Sequence, residues 1–451
     1  MNNTGSSGSP KIILADEIYE AIPSAKRLIK SLRDIGYDFS TAVADLVDNS
    51  IEAGASRVDI VVGFYGDDSY VRISDNGRGM THAELKEAMR YGSEREYHEE
   101  DLGKFGLGLK TASMSQCQRF SVVSKTKIGE EDSNVFCWDL AHIEKTNKWE
   151  ILLLKEKDTI ELISAPLFKQ VGTSVLWERL DRIINFKQVD GEAARKKLRS
   201  MCRNLEIYLG MVFHKFLAKE VTGKELEIWL NGNKVQPWDP FARGEPKTSK
   251  LSPAKIKLIQ DGNTGVIYIQ PYILPAEEDF SSSESFKKLS GPDKWNQQQG
   301  FYIYRANRMI QSGGWCGLRA RDEHTKLSRI ELNFSPVLDN AFKINVAKMK
   351  VQLPAQVREE IERIITPAVS LARKYYDSEK KTTPIQAESY KPRISPPINL
   401  IDNPRHAQIQ RTDRMFTLDE IERKALELAG PAEKGIISGI FLRLKRRLFG
   451  E

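Results

Sequence analysis

The chain has 451 residues, 29% of them charged and 40% in the hydrophobic set, a globular composition long enough for two domains and a tail and unlike that of a disordered chain. Its formal net charge of +6 permits nucleic-acid contact without the strongly basic footprint such proteins often carry. Cys117, Cys137, Cys202 and Cys316 lie far apart without paired spacing, the N-terminus MNNTGSSGSPK has no apolar signal core, and no apolar run approaches bilayer length. These features argue against a zinc site, a disulfide framework and a membrane span, and a cytoplasmic protein is expected.

In chain order, Ile18, Ile22, Ala25, Leu28, Ile29 and Leu32 approximate a helical stripe over about 16–37, and a second helix is predicted over 40–53. The runs RVDIVVGFY and YVRIS read as strands joined by GDDS, followed by a helix at THAELKEAMRYG. After a glycine- and charge-rich stretch over 98–110, further strands are expected at FSVVSKTK, NVFCWDL and TSVLWERL. The first domain is placed at 1–181.

Helical composition over 191–217 then leads to KELEIWLNGNKVQPW, whose Asn-Gly pair signals a hairpin and is taken to open a β-rich second domain. Strands at VIYIQPYIL, GFYIYRANRMI and RIELNFS and a helix over about 354–376 complete that domain, assigned 182–376. Residues 377–451 are read as a proline-bearing arm followed by a basic amphipathic helix containing GIISGIFLRLKRRLFG.

Three segments carry candidate chemistry. In TAVADLVDNSIEAGA, Asp45, Asp48, Asn49 and Glu52 share a helical face, with Val43, Leu46, Val47 and Ile51 on the other; alone, this also describes a solvated polar face. The strand YVRIS runs into DNGRGM, with Asp75 at its end able to accept a bond from an exocyclic amine, and Gly77 and Gly79 allowing close backbone approach. The same letters also spell an ordinary turn. In GKFGLGLKTASM, Gly103, Gly106 and Gly108 precede a helix whose free N–H groups suit phosphate, with Lys104 and Lys110 adding charge. The spacing is neither that of a P-loop nor that of a dinucleotide fingerprint, and a structural glycine turn is the other reading.

Together and in this order, these segments resemble the GHKL ATP-binding fold of type II topoisomerase ATPase domains, MutL, ninety-kilodalton heat-shock chaperones, MORC proteins and sensor histidine kinases. VGTSVLW, with Gly172 and Thr173, supplies a fourth element. The likeness covers roughly residues 22–177 and points to the MORC- and MutL-like branch.

The resemblance implies an α+β chain: a Bergerat-type α/β sandwich followed by a smaller β-rich transducer-like domain and a helical tail. It implies ATP and Mg2+ as ligands. Asn49 would hold the metal, Asp75 would read adenine with Gly77, Gly79 and Thr173 around it, and Gly103, Lys104, Gly106, Gly108 and Lys110 would form the phosphate lid. Asp45 stands where most hydrolysing members have glutamate, one methylene longer. It would act as catalytic base, with slow turnover expected.

The segments GFYIYRANRMIQSGGW and INVAKMKVQLP are similar to the transducer, from which Lys348, or alternatively Lys350, would reach the terminal phosphate. A slow ATPase that forms an ATP-dependent homodimer and clamps DNA or a protein partner is the expected function. The alternative is a nucleotide sensor controlling a separate effector protein.

Overall fold

The structure is a computed structural model that describes residues 19, 21–34, 36–92, 108–128, 134–167, 169–260, 262–291, 294–344, 351–379 and 401–402. Its first half contains α1 (Ala25–Arg33), α2 (Phe39–Glu52), β1 (Arg57–Phe64), β2 (Tyr70–Asp75), α3 (His82–Met89), α4 (Gly108–Gln116), β3 (Arg119–Lys125), β4 (Phe136–Asp139), α5 (Leu140–Thr146), β5 (Leu152–Leu153), α6 (Lys157–Ser164) and β6 (Gly172–Glu178). A long helix α7 (Glu192–Val212) and a short α8 (His214–Leu217) lead into β7 (Glu227–Leu230) and β8 (Asn233–Lys234).

These strands form one sheet in the order β5-β4-β3-β6-β2-β1-β7-β8, to which the short β15 (Ile401–Asp402) adds in parallel on β1. Strand alternation sorts its two faces. Val58, Ile60 and Val62 of β1, Val71 and Ile73 of β2, and Val175 and Trp177 of β6 point into a core shared with α1, α2 and α7. Val123 and Leu176 face the opposite way, onto Ile163 of α6 and Leu167. Helix entries follow local chemistry: the Asp38 side chain caps α2 by accepting from the Thr41 N–H, and Thr81 with Glu84 forms a capping box at α3.

The second half contains β9 (Ser249–Lys250), β10 (Ala254–Gln260), β11 (Asn263–Ile273), α9 (Ser283–Leu289), α10 (Lys294–Gln297), β12 (Gly300–Arg305), β13 (Arg308–Ser312), β14 (Ser328–Phe334), α11 (Arg358–Glu379) and β15 (Ile401–Asp402). Here the sheet order is β10-β11-β14-β12-β13, with β9 on β11. Ile361, Ile365, Ala368 and Ala372, spaced as one helical stripe, lay α11 into the core of this sheet. The chain is therefore α+β, as the sequence reading held.

Two expectations are corrected. The Asn-Gly hairpin does not open the second domain: β7 runs parallel to β1, Arg57 opposite Glu227 through Ile60 opposite Leu230, and its side chains Ile228 and Leu230 enter the first core. The first core thus extends to Val235, well past the proposed boundary at residue 181. A long-range parallel pairing, invisible to local patterning, extends the first sheet. In α1 the buried stripe is Ala25, Ile29 and Arg33, whereas Leu28 lies on the solvent side and Ile22 is exposed. Arg33 replaces an apolar residue in that stripe because its guanidinium finds the Met114 and Cys117 carbonyls and the Asp181 carboxylate.

Helices α7 and α8 join the halves. Leu198, Cys202, Leu205 and Leu209 face the first core, while His214 Nε2 meets the Tyr304 hydroxyl at 2.7 Å and Lys215 Nζ donates to Glu331 at 2.7 Å on the second sheet. Burial lowers the His214 pKa to about 3, so the imidazole is neutral in that contact.

Candidate functional site

The site lies where α2 crosses the end of β2. Asp75 is the last residue of β2 and is buried. Its Oδ1 accepts from the Gly77 N–H at 2.9 Å and the Thr173 N–H at 3.2 Å, and its Oδ2 accepts from the Ser50 hydroxyl at 3.0 Å. Burial raises the Asp75 pKa, and these three donors work against that rise by favouring the carboxylate. The turn after it is tied down by Asn76, whose Oδ1 accepts from the Ser56 and Arg57 N–H groups at 3.0 and 2.9 Å.

Two glycines make this packing possible. Gly79 has φ +70°, and a Cβ there would stand 2.0 Å from the Lys125 carbonyl oxygen; Gly172 has φ +136°, and its Cβ would stand 2.0 Å from the Asp75 carbonyl oxygen. The close approach foreseen for Gly79 is therefore to the protein's own backbone. The Ser124 hydroxyl, 2.8 Å from Thr173 Oγ1, accepts from the Met80 N–H and donates to the Gly172 carbonyl, locking β3, β6 and the turn together.

On α2, the four polar residues proposed to share a face separate by depth. Asp45 and Asp48 are buried, whereas Asn49 and Glu52 are half-buried. Asp45 Oδ2 accepts from the Tyr37 hydroxyl at 2.7 Å; burial and the adjacent Asp45 charge raise the Tyr37 pKa, keeping it a donor. A Cβ on Gly108, the first residue of α4, would lie 3.7 Å from Asp45 Oδ2, which brings the start of the third segment beside this carboxylate.

Asp48 accepts from Arg308 Nε at 2.9 Å, and Arg308 Nη2 stands 3.9 Å from Asp45 Oδ1. Burial alone would lower the Arg308 pKa, but Asp48 and the other acidic groups nearby raise it on balance, so the guanidinium is charged.

Lys110 sits differently from its expected role. Its amine donates to the Ala88 carbonyl at 2.9 Å and the Arg90 carbonyl at 2.7 Å, anchoring α4 to the end of α3, and burial lowers its pKa to about 8. Gly103, Lys104, Gly106, Lys348 and Lys350 lie outside the described residues. Ser50, Tyr37, Ser124 and Arg308 were not singled out in the sequence. Ser50 adjoins Asn49 and could have been found as a hydroxyl on the site helix, but no spacing signal links Arg308 to residues some 260 positions earlier.

Asp75 with its three donors, and the α2 residues beside it, lie within one stretch that matches a known family. Residues 37–173 match the family model described as histidine kinase-, DNA gyrase B- and HSP90-like ATPase. The chain carries a domain that matches this ATPase family, and the same region is similar to MutL proteins. It is 38% identical over 92 residues to the DNA mismatch repair protein MutL of Shewanella frigidimarina, covering 19% of this chain and 15% of that protein. The MutL of Shewanella woodyi is 28% identical over 151 residues, covering 32% of this chain and 21% of the relative. The matches thus span about a fifth or less of these relatives' length. Among the described residues, no helix is long and apolar enough to cross a membrane.

Proposed function

We propose that this chain binds ATP with Mg2+ and hydrolyses it slowly, using the bound nucleotide to change the relation of its two sheets. The observation that carries the reading is Asp75, a buried carboxylate whose donors come from Ser50 on α2, the Gly77 turn and β6 at Thr173. A carboxylate held this way, with a lone pair to spare on Oδ2, suits an adenine amino group.

For the metal, the half-buried Asn49 on α2 would supply one hard oxygen of the kind Mg2+ takes. Mg2+ bound chiefly through substrate phosphates needs little more from the protein. The ion would neutralise phosphate charge; Asn49 would hold it, and Asp45 would orient and deprotonate the attacking water. Lys348, Gly103, Lys104 and Gly106 remain the residues proposed to approach the phosphates from the lid and the second domain. The chain would act as an ATP-dependent homodimer on DNA or a partner protein, in the cytoplasm.

A second reading is a nucleotide sensor with little turnover, controlling a separate effector. It is favoured by the engagement of Asp45 with Tyr37 and its closeness to Arg308, which leave that carboxylate less free to hold an attacking water.

Phosphate release by the purified chain with Mg2+ and ATP, with and without duplex DNA and beside Asp45→Ala, separates the two readings. Turnover lost in the variant supports the ATPase, and stimulation by DNA supports the clamp. Tight ATP binding without turnover supports the sensor, and no ATP binding refutes both.

A further inference from the structure

Arg308 is the one described residue of the second sheet whose side chain forms an ion pair with the site helix. It is fully buried, opens β13, and follows the two-residue turn Ala306–Asn307, in which both residues have positive φ, 46° and 67°. Such a turn is a tight, twisted hairpin connection that carries the next residue rigidly. Ala306 is half-buried and packs against the first core, while Asn307 beside it is exposed, so one side of the turn is held by the first half of the chain.

At its end the guanidinium meets two carboxylates one helical turn apart. Its Nε is bonded to Asp48, and Nη2, buried and without a hydrogen-bond partner, stands 3.9 Å from Asp45 Oδ1. A buried donor left unmet is costly, and an acceptor lies somewhat under one ångström beyond the usual bonding range. A small shift of the β12–β13 turn relative to α2 would close that gap.

We propose that Arg308 is a positioning residue that links the second sheet to the carboxylate of Asp45, with nucleotide binding drawing Nη2 into a hydrogen bond that orients Asp45. This rests on the nucleotide-binding reading above. Asp48 is the fixed anchor of the link and Asp45 its moving end, while Tyr37 holds the other oxygen of Asp45 throughout. Arg308 itself touches neither nucleotide nor metal.

The test is hydrogen exchange of the full chain with and without Mg2+ and a non-hydrolysable ATP analogue, on the wild type, Arg308→Met, Arg308→Lys and the doubly neutralised Arg308→Met/Asp48→Asn. In the wild type the analogue should slow exchange both around residues 75–79 and in β12–β13. In Arg308→Met the analogue should still bind, within about threefold of the wild-type affinity, and protect residues 75–79, but the response of β12–β13 should disappear. Arg308→Lys should recover part of it. Turnover, where measurable, should fall about tenfold or more with KM little changed.

If Arg308→Met does not fold, the double variant, which leaves no buried charge unpaired at this pair, carries the same comparison. Protection of β12–β13 that persists in a folded, nucleotide-binding variant overturns the inference alone. So does loss of nucleotide binding from a folded variant, because the link requires binding to survive its removal. A wild type that binds no nucleotide overturns the reading on which the inference stands.

Discussion

Replacing Asp75 by asparagine keeps the size of the side chain and exchanges one carboxylate oxygen for an amide donor. The Gly77 and Thr173 N–H groups both point at Oδ1, so the amide oxygen must take that position, and the amide nitrogen falls where Oδ2 was, beside the Ser50 hydroxyl. Ser50 can rotate to accept, so the fold should survive. An adenine amino group would instead meet another donor. A hydrogen bond to a charged acceptor is worth about 1.5–3 kcal/mol, so ATP affinity should fall roughly tenfold to hundredfold.

GTP, which carries an acceptor where adenine carries its amine, should lose less or gain. Titration calorimetry with both nucleotides, alongside thermal unfolding, reads this directly. Equal losses for ATP and GTP in a folded variant, or an ATP affinity within about twofold of the wild type, would refute the role given to Asp75.

The pH dependence follows from the same residue. Because burial raises the Asp75 pKa above its ordinary 3.8, acidification should protonate it earlier than an exposed aspartate, and ATP affinity should fall through that range. Its contribution to folding has the opposite sign: the native state takes up this proton more readily than the unfolded chain, so the cost of the buried charge is relieved as pH falls through the raised pKa. Asp75→Asn removes both effects.

Gly172→Ala forces a Cβ to within 2.0 Å of the Asp75 carbonyl oxygen at φ +136°, and the β2–β6 pairing leaves neither backbone room to yield; unfolding in denaturant should show a loss on the order of 3 kcal/mol or more. Lys110→Met removes two bonds to carbonyls at the end of α3 and should cost about 1–3 kcal/mol in the same assay. Since burial lowers the Lys110 pKa from 10.5 to about 8, the wild type should regain stability as pH rises from about 8 toward 10.5, and this rise should be missing from the variant.

The elements bearing Asp75 and Asn49 were readable because a two-residue alternation and a helical stripe each end at a polar residue. The depth of Asp45 and Asp48 was not. Local pattern allowed α2 a solvated face, and that face is closed by α4 and α7 and by an arginine from the far sheet, partners that only tertiary packing supplies. Lys110 was placed among phosphate ligands on charge and proximity to glycines, yet its helical phase sends it to the carbonyls of α3. The hairpin at Asn231–Gly232 was recognised as a hairpin but given to the wrong sheet, since turn chemistry is local and the choice of neighbouring strand is not.

The strand that corrects that boundary also bears on where this chain can be cut. The family match ends at residue 173, the second residue of β6, yet the core around β1 also needs α7, and the edge of β1 at Arg57–Ile60 is paired by the parallel strand β7, more than fifty residues later. A fragment ending with the matched region would leave Val58 and Ile60 on a bare strand edge and strip α2 of the long helix beside it. The smallest piece expected to fold as a cooperative unit therefore runs to about Val235, and a shorter one should expose a sticky edge and aggregate.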